Sequence, residues 1–246
     1  MMFNLSQTAP DWQPLLSKAL AAMDPDYLAQ LQGNPAWLPG QNAIFNAFKL
    51  PLAKTRYILF GESPYPRATS ANGFAFWDAN VNELWSSSGL SKRVNKATSL
   101  RNIIKMLLLA RGDLNISDLS QAAICNVDKA EHAQTIKELF NNALAEGVLL
   151  LNASLALSES LSVSKESRYW LPFIECLLGD VTLASQGISL ILMGKVAGKV
   201  RPLANKLGLN YFVCEHPYNL SFITNPDVLD YFKPFNLLKK CDKILF

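Results

Sequence analysis

The chain has 246 residues, half of them apolar and 17% charged, with a formal net charge of +3. That length and apolar share suffice for a large buried core and exclude a disordered or low-complexity chain. The charge permits nucleic-acid binding without demanding it, because a strong electrostatic footprint would be a denser basic stripe. The basic residues gather in three groups, near Lys92 and Arg101, near Lys195 and Arg201, and near Lys233 and Lys240, and each alone reads as a solvated face. The four cysteines, Cys125, Cys176, Cys214 and Cys241, show no C-x-x-C spacing, so neither a metal nor a cluster is expected. Met1 to Pro10 lacks a basic region followed by an apolar run, so no signal peptide is expected. The longest apolar runs, Met106 to Ala110 and Gly147 to Leu151, are too short to span a bilayer. A soluble, cytoplasmic protein without membrane association is expected, and nothing demands more than a monomer.

In chain order, Trp12, Leu15, Leu16 and Leu20 stand at helical spacing and predict a helical lead-in over residues 1–50. Tyr57 to Phe60 is a short apolar run of the kind that forms a buried strand. Leu100, Ile103, Ile104, Leu107 and Leu108 share one helical face, as do Ile136, Leu139, Phe140, Ala143 and Leu144. Val148 to Leu151 is a second strand. Glu159 and Glu166 fall in a predicted loop. Phe173, Leu177 and Leu178 lie on a helix before a third strand, Ile188 to Met193. Val196 to Leu207 reads as a helix, and Tyr211 to Cys214 as a fourth strand. Alternating strands and helices predict an α/β fold, a three-layer α/β/α sandwich around a four-stranded, mostly parallel sheet, in a single domain over 1–246.

In open α/β sheets, ligands bind beyond the carboxyl ends of the strands. Those positions hold Gly61-Glu62-Ser63-Pro64-Tyr65, then Asn152, then Gly194-Lys195, then Glu215-His216-Pro217. Carboxylate, amide and imidazole are thereby predicted at one edge of the sheet. By themselves the residues leave other readings open: Phe76 serves equally as a core aromatic, Asn152 as a cap of its turn, and His216 as a structural histidine.

Read in order, these segments resemble the main, uracil-excising family of uracil-DNA glycosylases. Pro39 to Phe48 is similar to the family's P-P-x-x-x-V-F-N-A-F segment. Gly61 to Phe76, GESPYPRATSANGFAF, matches the length of the family's G-Q-D-P-Y-H-G-P-G-Q-A-H-G-L-A-F. Ser99 to Ile103 looks like its S-L-x-N-I helix start, Gly147 to Asn152 is identical to its G-V-L-L-L-N, and His216 to Ser221 resembles its H-P-S-P-L-S. The resemblance covers nearly the whole chain and implies the family's fold and its work on DNA in base excision repair, without a cofactor. Such an enzyme flips the base out of the duplex and reads it in a pocket. The resemblance implies that Phe76 stacks on the base, Asn152 pairs with its Watson–Crick edge, and Tyr65 excludes a thymine methyl group. His216 would stabilise the leaving anion, and Glu62 or Ser63 would handle water. Leu220 would fill the gap in the stack, while Pro64, Ser99, Ser164, Lys165 and Ser221 would hold the backbone.

The chain departs from this pattern at Ser63, where the family has Asp. A hydroxyl cannot supply a charge aimed at the transition state, whose loss costs a factor on the order of 100 or more. A related branch of the superfamily has Glu at the place of Glu62, although its iron–sulfur cysteines have no match here. Pro66 replaces a His, Lys165 replaces the His of a Ser-His pair, and Tyr218-Asn219 replaces Ser-Pro. Two rival readings follow: a homologue that binds DNA, a base or a protein without chemistry, and an enzyme of free nucleosides. Leu220 speaks against the latter, because a wedge is useful only on a duplex.

Overall fold

A run such as Tyr-Ile-Leu-Phe, apolar at every position, is stable as a strand covered on both faces. The computed structural model of the chain, which describes residues 3–34, 36–184 and 187–241, puts it there. Met1 and Met2, the start of the stretch read for a targeting signal, lie outside the described residues. The sheet is built from β1 (Tyr57–Gly61), β4 (Val148–Asn152), β5 (Ser189–Met193) and β6 (Asn210–Cys214), in the order β4-β1-β5-β6. All four predicted strands are present, within a residue of their expected bounds. β1 pairs in parallel with β4 on one side and with β5 on the other, and the register sets Gly61 beside Asn152. The two outer strands differ in burial: every residue of β4 is buried, whereas β6 is largely exposed.

The chain divides into two compact units. The first comprises Met1–Asp78 and Gly147–Val213 and holds the sheet, up to Val213 of β6. Its helices are α1 (Gln13–Ala21), α2 (Pro25–Gly33), α7 (Val163–Ala184) and α8 (Lys195–Leu207). Trp12, Leu16, Phe60, Trp170 and Phe173 are essentially inaccessible to solvent in its core. α1 packs on α7, with Lys18 Nζ 2.6 Å from Asp180 Oδ1.

The second unit comprises Ala79–Glu146 and Cys214–Phe246. It carries the hairpin β2 (Trp85–Ser86) and β3 (Gly89–Leu90), then α3 (Lys92–Lys96), α4 (Thr98–Arg111), α5 (Gln121–Asn126), α6 (Ile136–Ala145) and α9 (Pro226–Phe232). α4 is closed by Gly112 in the left-handed conformation, the usual helix stop. At the start of α6, Thr135 Oγ1 accepts the Glu138 N–H, and the Glu138 carboxylate accepts the Gln134 N–H. This exchange resembles a capping box, with Glu138 reaching back to the residue before the N-cap.

The structure corrects one local expectation. Glu166 lies in the first turn of α7, not in a loop, and is completely buried. It survives there because its oxygens are met by the Tyr27 hydroxyl, the Ser158 hydroxyl at 2.6 Å and the Ser158 N–H at 3.2 Å. A buried carboxylate is tolerated when its lone pairs are filled this way. No helix among the described residues is long and apolar enough to cross a membrane.

Candidate active site

In the first unit, the strand-like pairing of β1 with β4 runs on past the strand ends. The Gly61 carbonyl accepts the Ala153 N–H at 2.8 Å, and the Glu62 carbonyl accepts the Ser154 N–H at 3.1 Å. The loop that begins at Glu62 therefore leaves the sheet from a fixed point. It returns along β4, where the Ala75 N–H donates to the Leu150 carbonyl at 3.0 Å. Asn46 braces the returning arm, its amide donating to the Asn72 carbonyl at 2.8 Å, and Asn72 Oδ1 accepts the Phe74 N–H at 3.0 Å. Gly73 takes a positive φ of 85°, and a side chain there would collide with the Ala43 carbonyl.

These constraints converge on three side chains that the sequence singles out. Asn152 is 4% exposed at the end of β4. A Cβ on Gly61 would strike Asn152 Oδ1 and come within 2.8 Å of Ala75 Cβ, so glycine is what leaves room for the amide. Phe76 is half-buried and has φ 62°, a left-handed conformation that costs a non-glycine residue about 1 kcal/mol or more. Such cost persists only where the surroundings over-determine it, and the Ala75 anchor on one side and Tyr65 on the other do so. The Tyr65 hydroxyl donates to the Phe76 carbonyl at 3.2 Å. Burial pushes the Tyr65 hydroxyl well above the usual tyrosine range, with the Asp78 carboxylate adding to the shift, so it stays a neutral donor. Tyr65, Phe76 and Asn152 thus form one braced group around Gly61 and Ala75, which brings together an aromatic ring and an amide carrying both donor and acceptor.

The water-handling candidates sit on the outgoing arm of the same loop. The Ser63 hydroxyl, half-buried, makes a long bond of 3.4 Å to the Pro64 carbonyl. Pro64 itself is buried. Glu62 is exposed, with Oε1 3.4 Å from Lys199 Nζ, and Lys199 also donates to Ser167 Oγ at 2.9 Å. Ser164 and Lys165 stand exposed on the first turn of α7. A cleft of about 280 Å³ elsewhere in this unit, lined by Tyr27, Leu31, Trp37 and Ser158, contains none of the predicted site residues.

The remaining predicted residues belong to the second unit. His216 Nδ1 accepts the Tyr218 N–H at 3.0 Å, so in the neutral ring the proton resides on Nε2. The loop that follows is folded on itself, with the Asn219 N–H on the His216 carbonyl at 2.9 Å. Leu220 is 69% exposed, and the Ser221 hydroxyl donates to Glu215 Oε2. Ser99 is half-buried in the first turn of α4. Three residues beyond the sequence reading complete the picture. Asn102, fully buried on α4, donates its amide to the Pro217 carbonyl at 2.7 Å and holds the His216 loop from below. The detectable signal was an amide placed among the buried apolar positions of a helix. Asn46 had a comparable signal within an otherwise apolar motif, whereas Lys199 looked like any surface lysine. Among the described residues no group of His, Cys, Asp and Glu is arranged to hold a metal ion.

No family model matches the chain. The wild-type UNG structure from Nitratifractor salsuginis is 41% identical, with a TM-score of 0.90, and the match covers 96% of this chain and 94% of that one. The uracil-DNA glycosylase of Lactococcus lactis subsp. cremoris is 28% identical over 218 residues, 86% of this chain and 84% of its own length. That of a Nocardioides species is 26% identical over 203 residues, 81% and 75% of the respective chains.

Proposed function

The chain belongs to the uracil-DNA glycosylase superfamily, and from that premise we propose that it hydrolyses the N-glycosidic bond of uracil, or a related damaged base, flipped out of DNA. The braced group of Tyr65, Phe76 and Asn152 carries this reading, because an aromatic face and a two-way amide are what a flipped pyrimidine requires. Phe76 stacks on the base and Asn152 pairs with its edge. Tyr65 excludes a methyl at the thymine position. His216 donates Nε2–H to the carbonyl oxygen that gains charge as the bond to the sugar breaks. Glu62, with Ser63 beside it, orients the water that attacks the sugar. Leu220 occupies the gap left in the stack, and Pro64, Ser99, Ser164, Lys165 and Ser221 hold the strand. Residues 1–246 serve this one activity, as a cytoplasmic monomer.

The test is single-turnover excision from a labelled oligonucleotide containing one uracil, with alkaline cleavage at the abasic site. Cleavage that disappears in His216→Ala supports the proposal. No cleavage of single- or double-stranded uracil DNA, followed by none across a panel of damaged bases, sinks it in favour of binding without chemistry.

A further inference from the structure

The loop after His216 exposes two large apolar side chains, not one. Tyr218 is 67% exposed and Leu220 is 69% exposed, two residues apart. The backbone that bears them is anchored at several points. Asn102, itself inaccessible to solvent, holds the Pro217 carbonyl at 2.7 Å, with the Tyr218 and Asn219 carbonyls at 3.4 and 3.5 Å. The Tyr218 N–H is committed to His216 Nδ1 at 3.0 Å. Immediately beyond, Phe222 and Ile223 are buried and seat the turn Leu220–Ile223 against α4. A backbone held this firmly while its apolar side chains stand in water is preorganised to place those side chains into something else. An aromatic ring presented on such a support suits the π-face of a nucleobase, because stacking needs a flat, fixed platform and accepts any base.

We propose that Tyr218 is a second stacking residue: its ring covers a base next to the one extracted, while Leu220 fills the gap. The inference rests on the DNA-glycosylase reading above. Its ligand is a nucleobase left unstacked by extraction of its neighbour, and its contribution falls on DNA binding and on holding the open state. Tyr218 touches no reacting atom in this scheme and is a positioning residue.

The experiment uses the full chain and a duplex carrying a tetrahydrofuran abasic analogue flanked by 2-aminopurine, whose fluorescence reports its stacking. Affinity comes from anisotropy over a salt series. Wild type and Tyr218→Phe should bind alike and give the same fluorescence change on binding. Tyr218→Ser should bind roughly tenfold more weakly and lose most of that change. Its salt slope should be unaltered, since no phosphate contact is removed. Equal thermal melting of the three proteins, expected for so exposed a side chain, excludes a folding defect. If Tyr218→Ser binds the duplex and moves the fluorescence as wild type does, the stacking role is overturned while the glycosylase reading stands. If wild type shows no salt-dependent binding to this duplex, the reading itself fails and takes the inference with it.

Discussion

The loop from Gly61 to Phe76 and the loop from His216 to Ser221 reach their shapes by opposite means. The first is fastened through its backbone to the end of β4, by Gly61, Glu62 and Ala75, and it tolerates only small residues where chains cross. The second is held by one buried amide, Asn102, and by the anchors Phe222 and Ile223, with its tip in solvent. On the proposed reading, the first loop must fit one base and is well served by backbone pairing, which leaves the side chains no slack, while the second must reach into DNA and is better served by a stiff support under exposed tips.

Substitutions separate the two designs. Removing the amide at the end of β4, to which the first loop is fastened, should have the largest effect: Asn152→Ala should lower uracil excision by on the order of 100-fold or more, since a site built to hydrogen-bond its substrate loses discrimination with the bond, as single-turnover rates will show. Ser63→Asp should raise excision, by on the order of tenfold or more, by returning a carboxylate to the transition state; an unchanged rate would mean that Glu62 already fills that role. Gly61→Ala tests the backbone design itself. The collision with Asn152 and Ala75 should cost about 1–3 kcal/mol in urea unfolding and lower excision several-fold. A stable, fully active Gly61→Ala would break the contrast between the loops. Asn102→Ala should cost about 1–3 kcal/mol by leaving the Pro217 carbonyl without its donor, and it should weaken DNA binding in anisotropy while leaving the Tyr65–Phe76 group intact.

The smallest effect is on pH. The Tyr65 and Tyr27 hydroxyls are both raised, chiefly by burial, with Glu166 adding to the shift at Tyr27. A raised acid keeps its proton in the folded state after the unfolded chain has lost its own. Stability is therefore complete below the ordinary tyrosine value of about 10 and falls as pH rises beyond it. Melting temperatures between pH 9 and 11 should decline, and less steeply in Tyr65→Phe.

The four sheet strands were legible because each is an apolar run bounded by polar or glycine-rich residues, and α4, α6 and α8 because their apolar residues keep helical spacing. The hairpin of β2 and β3 was not, since two-residue strands carry no period. Glu166 misled for a different reason: a lone carboxylate looks solvated until Tyr27, 139 residues away, and Ser158 are brought to it.

The sequence by itself determined the sheet and its polar strand ends, because hydrophobic periodicity and residue chemistry are local properties, while the family resemblance of its motifs singled out Asn152, Phe76, Tyr65 and His216. Only the tertiary structure decided that Gly61 makes room for Asn152, that Phe76 turns left-handed beneath the Tyr65 hydroxyl, that Lys199 approaches Glu62, and that Asn102 stiffens the loop bearing Tyr218. Each of these depends on distances between atoms far apart in the chain, and no spacing rule within one segment encodes them.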